Sequence, residues 1–522
     1  MASHSTAARS LLLTTLLLAL AGDILLRVEP WGVNFTVLSL LLFAGIGFLS
    51  RRLHDPIPFE GWAIAGFGLL SAAWFSWRDS SDLAVVNFLA TLAAALLVTA
   101  RKRPGDLLHM TFVDHLHQSL IQAIHVSVGF GFLLLHDLRA GCAEGERQGT
   151  RRGRVWLGVF LAVPAMLLFG SLLTSADATF EYLIIEVLRI DIWTLLGHAA
   201  LIALLGWTVG GWLRGRFFAT EFTLSSMLLP RRVSLGATEI AILLGSLDVL
   251  FGTFVVLQIP NFFGGHAAVL GTPSLTYAQY ARRGFFELIT VAALSLPLLL
   301  STDWVFKSEH ARERRFIRAL SMVMVALLGV MLASAMHRLT LYSEAYGLTT
   351  ARVHAAAILI WIALTLLLFC ATVLRGKRNV LPFAMAVSGY VVLMGMNILN
   401  PDALVARVNM SRMVTDGKFD PKYTFRLSAD AVPAYLDAIP AMNAVHRSAL
   451  AERLLQQHAP SVHEQDIRTW NAARATAESL VSERESELRG YVIPREASPS
   501  PVRQTERTSP ALHDTGPDAP RP

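Results

Sequence analysis

Apolar stretches of bilayer-spanning length recur along this chain, and that limits it to very few folds. A helix needs roughly 20 apolar residues to cross the hydrocarbon core. Inside lipid every backbone N–H and C=O must be satisfied within the protein, which leaves helices or closed barrels. The stretches fall at about 10–26, 32–50, 61–77, 82–100, 155–174, 192–212, 238–259, 284–302, 317–336, 353–374 and 379–399. They are too long and too evenly apolar for barrel strands. Composition agrees, with 53% hydrophobic and 16% charged residues, against about a quarter charged in a soluble domain. The expected fold is all-α, a polytopic helical membrane bundle of about eleven transmembrane helices.

The charges set the expected orientation. Arg51 and Arg52, the cluster Arg101-Lys102-Arg103, Arg214 and Arg216, the run ARERR (311–315), and Arg375, Lys377 and Arg378 all fall on one side of an alternating topology. Short loops rich in Lys and Arg face the cytoplasm. The amino terminus is then inside and the chain after residue 400 outside. The net charge of +6 reports this topology. Nucleic acid is not an expected partner; the lipid bilayer is. Residues 10–21 end in Ala19-Leu20-Ala21, which resembles a signal-peptidase site, and an uncleaved first helix is the favoured reading. Cys142 and Cys370 are the only cysteines, so a disulfide framework and a cysteine-rich metal site are excluded.

These patterns divide the chain. Residues 1–103 read as a four-helix membrane region and 155–399 as a core membrane domain. Between them, 104–154 holds an apolar segment with Gln118, Gln122 and His125, flanked by RKR and by ERQGTRRGR (146–154). Both flanks favour the cytoplasm, so an interfacial or re-entrant helix pair is expected over 106–138. If 118–138 crosses instead, the carboxyl terminus moves inside. Residues 400–493 are polar, with helical patterns at 428–439, 441–458 and 463–488, and read as a small soluble helical domain. Pro433 suits a first helical turn and Pro440 separates two helices. Residues 494–522 are expected to be a disordered tail.

Ionisable groups inside a membrane are costly and usually face a bundle interior, a partner or a water-filled cavity. Here they gather near the outer ends of helices: Asp177 and Glu181 after the fifth span, Arg282, Arg283 and Glu287 opening the eighth, and His337, Arg338, Tyr342 and Glu344 closing the ninth. Asp248 lies deeper, near the middle of the seventh, and Asn397 and Asn400 end the eleventh. Arg283 and Glu287 are four apart, as are Arg338 and Tyr342, so each pair shares a helix face. Such pairs can simply hold helices together. They can also form a polar pocket, where an arginine fork grips a carboxylate or phosphate. The candidate ligand-binding or ion-pathway residues are Asp177, Asp248, Arg282, Arg283, Glu287, Arg338 and Glu344. His109, His115, His117 and His125 with Asp114 lack metal-site spacing, and no metal is expected. No Walker sequence or Ser-His-Asp arrangement is present, NFFGG (261–265) lacks the context of a phosphate loop, and no cofactor is expected.

Five segments, LLTSADATFEYL, LLGSLDVLFGTFVVLQIPNFFGG, TYAQYARRGFFELITVAAL, LTLYSEAYGLTTARVH and NPDALVARVNMSR, resemble the bacterial membrane proteins grouped as domain of unknown function 4173 and the related group 4153. The resemblance covers roughly 155–440. It implies a bacterial inner-membrane protein and supplies no reaction and no catalytic residues.

The expected function is non-enzymatic: binding, sensing or transporting a small or lipid-linked anionic ligand at a polar site near the outer leaflet. Arg283 would receive the anion, Glu287 would hold its side chain, and Asp248 would serve as a proton or cation site. One alternative is a membrane glycosyltransferase using a lipid-linked donor, with Glu29 and nearby Asp23 as its acidic residues. Another is a scaffold that docks a partner through 400–493.

Overall fold

The computed structural model describes residues 4–99, 112–137, some positions in 158–175, and 191–218, 235–263, 285–306, 310–416, 420–458 and 466–493. These residues are helical throughout apart from turns, with one isolated bridge between Leu235 and Phe306. The membrane helices are α1 (His4–Leu26), α2 (Val33–Arg52), α3 (Phe59–Ala73), α4 (Ser81–Val98), α5 (Phe112–Phe132), α6 (Ile192–Phe217), α7 (Ala237–Phe263), α8 (Phe285–Val305), α9 (Ala311–Tyr346), α10 (Thr350–Thr372) and α11 (Leu381–Leu399). Nine stretches among the described residues are long and apolar enough to cross a bilayer. Eight of them fall on expected spans; the ninth is Gln118–Asp137. The expected spans at 61–77 and 284–302 are shorter helices, α3 with 15 residues and the apolar stretch Glu287–Thr302. The expected span at 155–174 is described only in part.

Within the described residues, 106–138 holds one helix, not a pair: α5 ends in a π-helical turn, Leu133–Asp137. Gln122 donates to the Thr99 carbonyl at 3.5 Å, and Asp137 accepts from Arg214 Nε at 2.5 Å. Thr99 and Arg214 belong to the same end of the bundle, because Trp212 Nε1 donates to Thr99 Oγ1 at 2.9 Å. So Gln122, midway along α5, and Asp137, just past Phe132, both meet that end. Between them α5 reaches Trp207, whose Nε1 donates to the Ser127 carbonyl at 2.9 Å. Close backbone contact permits this: a Cβ on Gly129 would stand 2.8 Å from the Gly211 carbonyl oxygen.

The helix ends sort into two sets. At the basic end Arg216 pairs with Asp55, and Arg214 with Asp137. At the opposite end the α1–α2 turn is stitched by buried Asn34, which donates to the Leu25 and Val28 carbonyls at 2.9 Å each. One apolar core joins α1–α6 with Tyr390 of α11, and another joins α7–α10 with the start of α11. Packing therefore does not follow the division at 103 and 155: α6 completes the amino-terminal core, where Gly206 lies over Ala19.

The carboxyl-terminal helical domain begins with α12 (Pro401–Asp416) and continues through α13 (Val432–Ala438), α14 (Ala444–His458), α15 (Ala472–Glu483) and α16 (Glu485–Tyr491). Pro433 occupies the first turn of α13, where a missing N–H costs nothing. Phe425, Tyr435, Leu436, Leu450, Leu454 and Val481 fill its core. The pattern at 463–488 is broken: Asp466–Trp470 is a strap, and Arg484 separates α15 from α16. The domain sits on the end of the bundle opposite the basic loops. Val33 N–H donates to the Trp470 carbonyl at 3.1 Å, and Arg468 Nη1 to that of Ile24 at 2.7 Å.

Candidate functional site

Asp177, Arg282 and Arg283 lie outside the described residues. Glu287, in the first turn of α8, is exposed. Arg338 Nη2 donates to Gln258 Oε1 of α7 at 2.6 Å, and Ser334 Oγ is 3.4 Å from the same oxygen. Tyr342 lies instead under the Arg352 guanidinium, 4.0 Å from ring centroid to carbon. Asp248 is buried in α7, and neither carboxylate oxygen has a hydrogen-bond partner.

Glu344 lines a cavity of about 630 Å³ between α9, α10, the end of α11 and α12. Its walls are apolar, among them Leu339, Val353, Ala356 and Leu404. Arg352 and Arg412 also line it. Both hold the carboxyl end of α9, where carbonyls lack helical partners. Arg412 donates to the carbonyls of Ser343 at 2.8 Å and Glu344 at 2.6 Å, and Arg352 to that of Gly347. Gly347 has φ 84° and ψ 174°, a region open essentially to glycine. A Cβ there would also meet Asn409 Oδ1 at 2.9 Å. Asn409 in turn bonds both backbone groups of Leu348 at 2.9 Å. The cavity wall is thus fixed by α12, the first element after the membrane helices.

A second polar cluster sits beside it. Asp430, with its side chain 2% exposed, accepts from Arg78 Nη1 at 3.1 Å, Asp79 N–H at 2.8 Å and Asn400 Nδ2 at 3.0 Å. Arg78 also donates to the Asn397 carbonyl at 2.8 Å. Asp79 pairs with Arg474 Nη1 at 2.9 Å, and buried Asn471 donates to the Phe75 and Arg78 carbonyls at 2.7 and 2.9 Å. Asn87 and Asn397 exchange hydrogen bonds just below, at 2.8 and 3.0 Å. Burial pushes the Asp79 carboxyl above its ordinary range, against the pull of Arg474. Burial likewise raises Asp402, against the bonds from Ser428. This cluster binds the α3–α4 loop, the end of α11 and the carboxyl-terminal domain together. Its saturated bonding marks it as structural.

Sequence reasoning missed Arg78, Asp79, Asp430 and Arg474, and also Arg352 and Arg412. The RDSSD run (78–82) between two apolar stretches was a visible signal. Glu29 is exposed. Asp23 is buried between Arg27 Nε at 2.8 Å and His198 Nδ1 at 2.5 Å. Among the described residues no three His, Cys, Asp or Glu side chains gather as a metal site.

Stacked apolar helices, a carboxyl buried within one of them and a helical domain docked at one end define a multi-pass integral membrane protein. The match to a family model described as a domain of unknown function (DUF4153) runs over residues 64–438, and the chain belongs to that family. The match starts inside α3, well before the segments that carried the resemblance, and takes in the cavity and Asp430. No curated protein and no solved structure matches the chain.

Proposed function

We propose that this protein binds an anionic amphiphile, a lipid-like molecule with a negatively charged headgroup, in the cavity between α9, α10, α11 and α12. The cavity carries the reading. Its volume of about 630 Å³ lies within the roughly 300–1,000 Å³ of ligand pockets. Its walls take an acyl or prenyl chain, and Arg352 and Arg412 stand where a headgroup would meet charge. The donors of Arg352 and Arg412 that do not hold the end of α9, and the charge of both, are what they would bring to a phosphate or carboxylate. The two arginines replace the Arg283–Glu287 pair as the ligand-facing residues of this proposal.

The orientation belongs to the same proposal. Basic loops toward the cytoplasm of a bacterium put the cavity and the soluble domain at the outer leaflet of the cytoplasmic membrane. The bonds of Gln122 and Asp137 to Thr99 and Arg214 at one end of the bundle support this, since a non-crossing α5 keeps the alternation of basic loops intact. A reporter active only outside, fused after residue 493, is expected to give signal; signal from an inside-only reporter overturns the orientation.

Binding is tested with protein in zwitterionic nanodiscs and a fluorescent lysophosphatidate, with the matching lysophosphatidylcholine as control. Saturable binding is expected, roughly tenfold tighter for the anionic probe, which is about 1.4 kcal/mol. Ala356→Phe, which fills the cavity, should weaken both probes, and Arg352→Gln only the anionic one. Equal affinity for both probes, unchanged by Ala356→Phe, overturns the reading.

A further inference from the structure

Asp248 differs from every other carboxyl among the described residues: both of its oxygens are enclosed and neither is bonded. Its residue is 9% exposed, at the middle of the span Ala237–Gln258. Ile240, Leu244 and Asp248 recur every four residues, so they share one face of α7. Ile240 and Leu244 are fully buried in the core formed with α8, α9 and α10. The contacts of Gln258 with Ser334 and Arg338 set the register of α7 on α9. That register puts Asp248 level with Met324 and Leu328, which are also fully buried. The carboxyl therefore lies at the level of buried thioether and hydrocarbon side chains.

Charged groups stand away from it on each neighbouring element. On α7 itself, Glu239 lies in the first turn. On α9, Arg338 and His337 lie toward the cavity end, and Arg318 toward the basic end. On α8, Glu287 is exposed at the start. On α10, His354 bonds the Thr350 carbonyl at 2.7 Å in the first turn, and Cys370, partly buried near the other end of that helix, brings a neutral thiol to the same core. An ionised carboxylate in such a place is far costlier than the neutral acid. A carboxyl kept there with no structural partner is one that carries a proton.

We propose that Asp248 is an intramembrane proton-binding site, taking up and releasing a proton along the α7–α9 seam. Release leaves the O–H electron pair on the carboxylate oxygen and passes the proton to a water molecule admitted when the seam opens; uptake reverses this. Toward the cavity, Thr253 spends its hydroxyl on the Val249 carbonyl, and Gln258, Ser334 and Arg338 follow about 15 Å from Asp248 along the helix. The site is separate from the ligand cavity, so either reading can fail without the other.

Dicyclohexylcarbodiimide tests the proposal, because it modifies protonated carboxyls in apolar surroundings. The full chain in proteoliposomes is labelled across a pH series, and the peptide containing Asp248 is followed by mass spectrometry. Labelling is expected near neutral pH, falling roughly tenfold per unit once the pH exceeds that of half-protonation, and unchanged by excess sodium. Asp248→Asn removes it. Labelling that does not vary with pH describes a sealed structural acid and overturns the proposal. Protection by sodium replaces the proton with a metal cation and also overturns it. In a second variant, Asp248→Cys is probed with an apolar maleimide. Maleimide reaction without any carbodiimide labelling of the parent shows an accessible but ionised group, and reaction with neither reagent shows a closed seam; both overturn it.

Discussion

Asp430 and Asp248 are both buried carboxylates, and their surroundings are opposite. Asp430 lies at the junction of the apolar helices and the carboxyl-terminal domain and accepts from Arg78, Asp79 and Asn400. Asp248 lies mid-membrane and accepts from nothing. Desolvation penalises both. At Asp430 charged and neutral donors offset the penalty, so the carboxylate works as a clamp. At Asp248 nothing offsets it, so the residue contributes nothing to the fold that an apolar side chain would not supply better. A buried charge with a full set of donors is explained by architecture; one with none calls for a function.

The sharpest way to break this contrast is to remove both acids in turn. Asp430→Ala leaves Arg78 without its buried partner and is expected to cost about 3–5 kcal/mol, read as loss of thermal stability in detergent and as new protease cleavage in 400–493. Asp248→Asn is expected to stay within about 1 kcal/mol of the parent in the same assay. Equal losses would erase the distinction. Next in size is Gly347→Val, which forces a β-branched residue into a glycine-only conformation against Asn409. A loss of about 1–3 kcal/mol is expected, together with weaker lysophosphatidate binding, because the cavity wall is hung on that turn.

A pH series sharpens the clamp side. Asp79 and Asp402 bind a proton more tightly when folded, so their contribution is full below the ordinary 3.8 and fades as pH rises through the raised values. Burial lowers His458 in the same domain, so its contribution is full above the ordinary 6.5 and fades as pH falls. The two oppose each other on acidification. Asp79→Asn removes part of the favourable side, and its melting temperature should fall more steeply than the parent's between neutral and mildly acidic pH. The smallest expected effect is that of Glu287→Gln, within about 0.5 kcal/mol by thermal unfolding, as befits an exposed side chain.

The bundle was legible because a membrane writes its thickness into the sequence as run length. Asp248 was legible for the same reason, as a charge inside an apolar run. The clamp was not, because Arg78 and Asp430 are 352 residues apart and no local spacing links them. Arg352 and Arg412 were passed over because Arg352 opens an apolar run and Arg412 lies in the polar stretch after residue 400, and no local spacing ties either to the end of α9. The expected Arg338–Tyr342 pair shows the limit of helix spacing: four residues put both on one face, but α7 offered Arg338 the amide of Gln258, and α10 laid Arg352 over the tyrosine ring.

Helix α9 runs 36 residues without a break, about 54 Å at 1.5 Å per residue, nearly twice the hydrocarbon thickness. It carries ARERR at one tip, faces Asp248 at its waist, and forms the cavity wall at the other tip. An unbroken helix of this kind ties its two tips together mechanically: the cavity wall at one end and the five residues of ARERR at the other cannot shift along its axis independently.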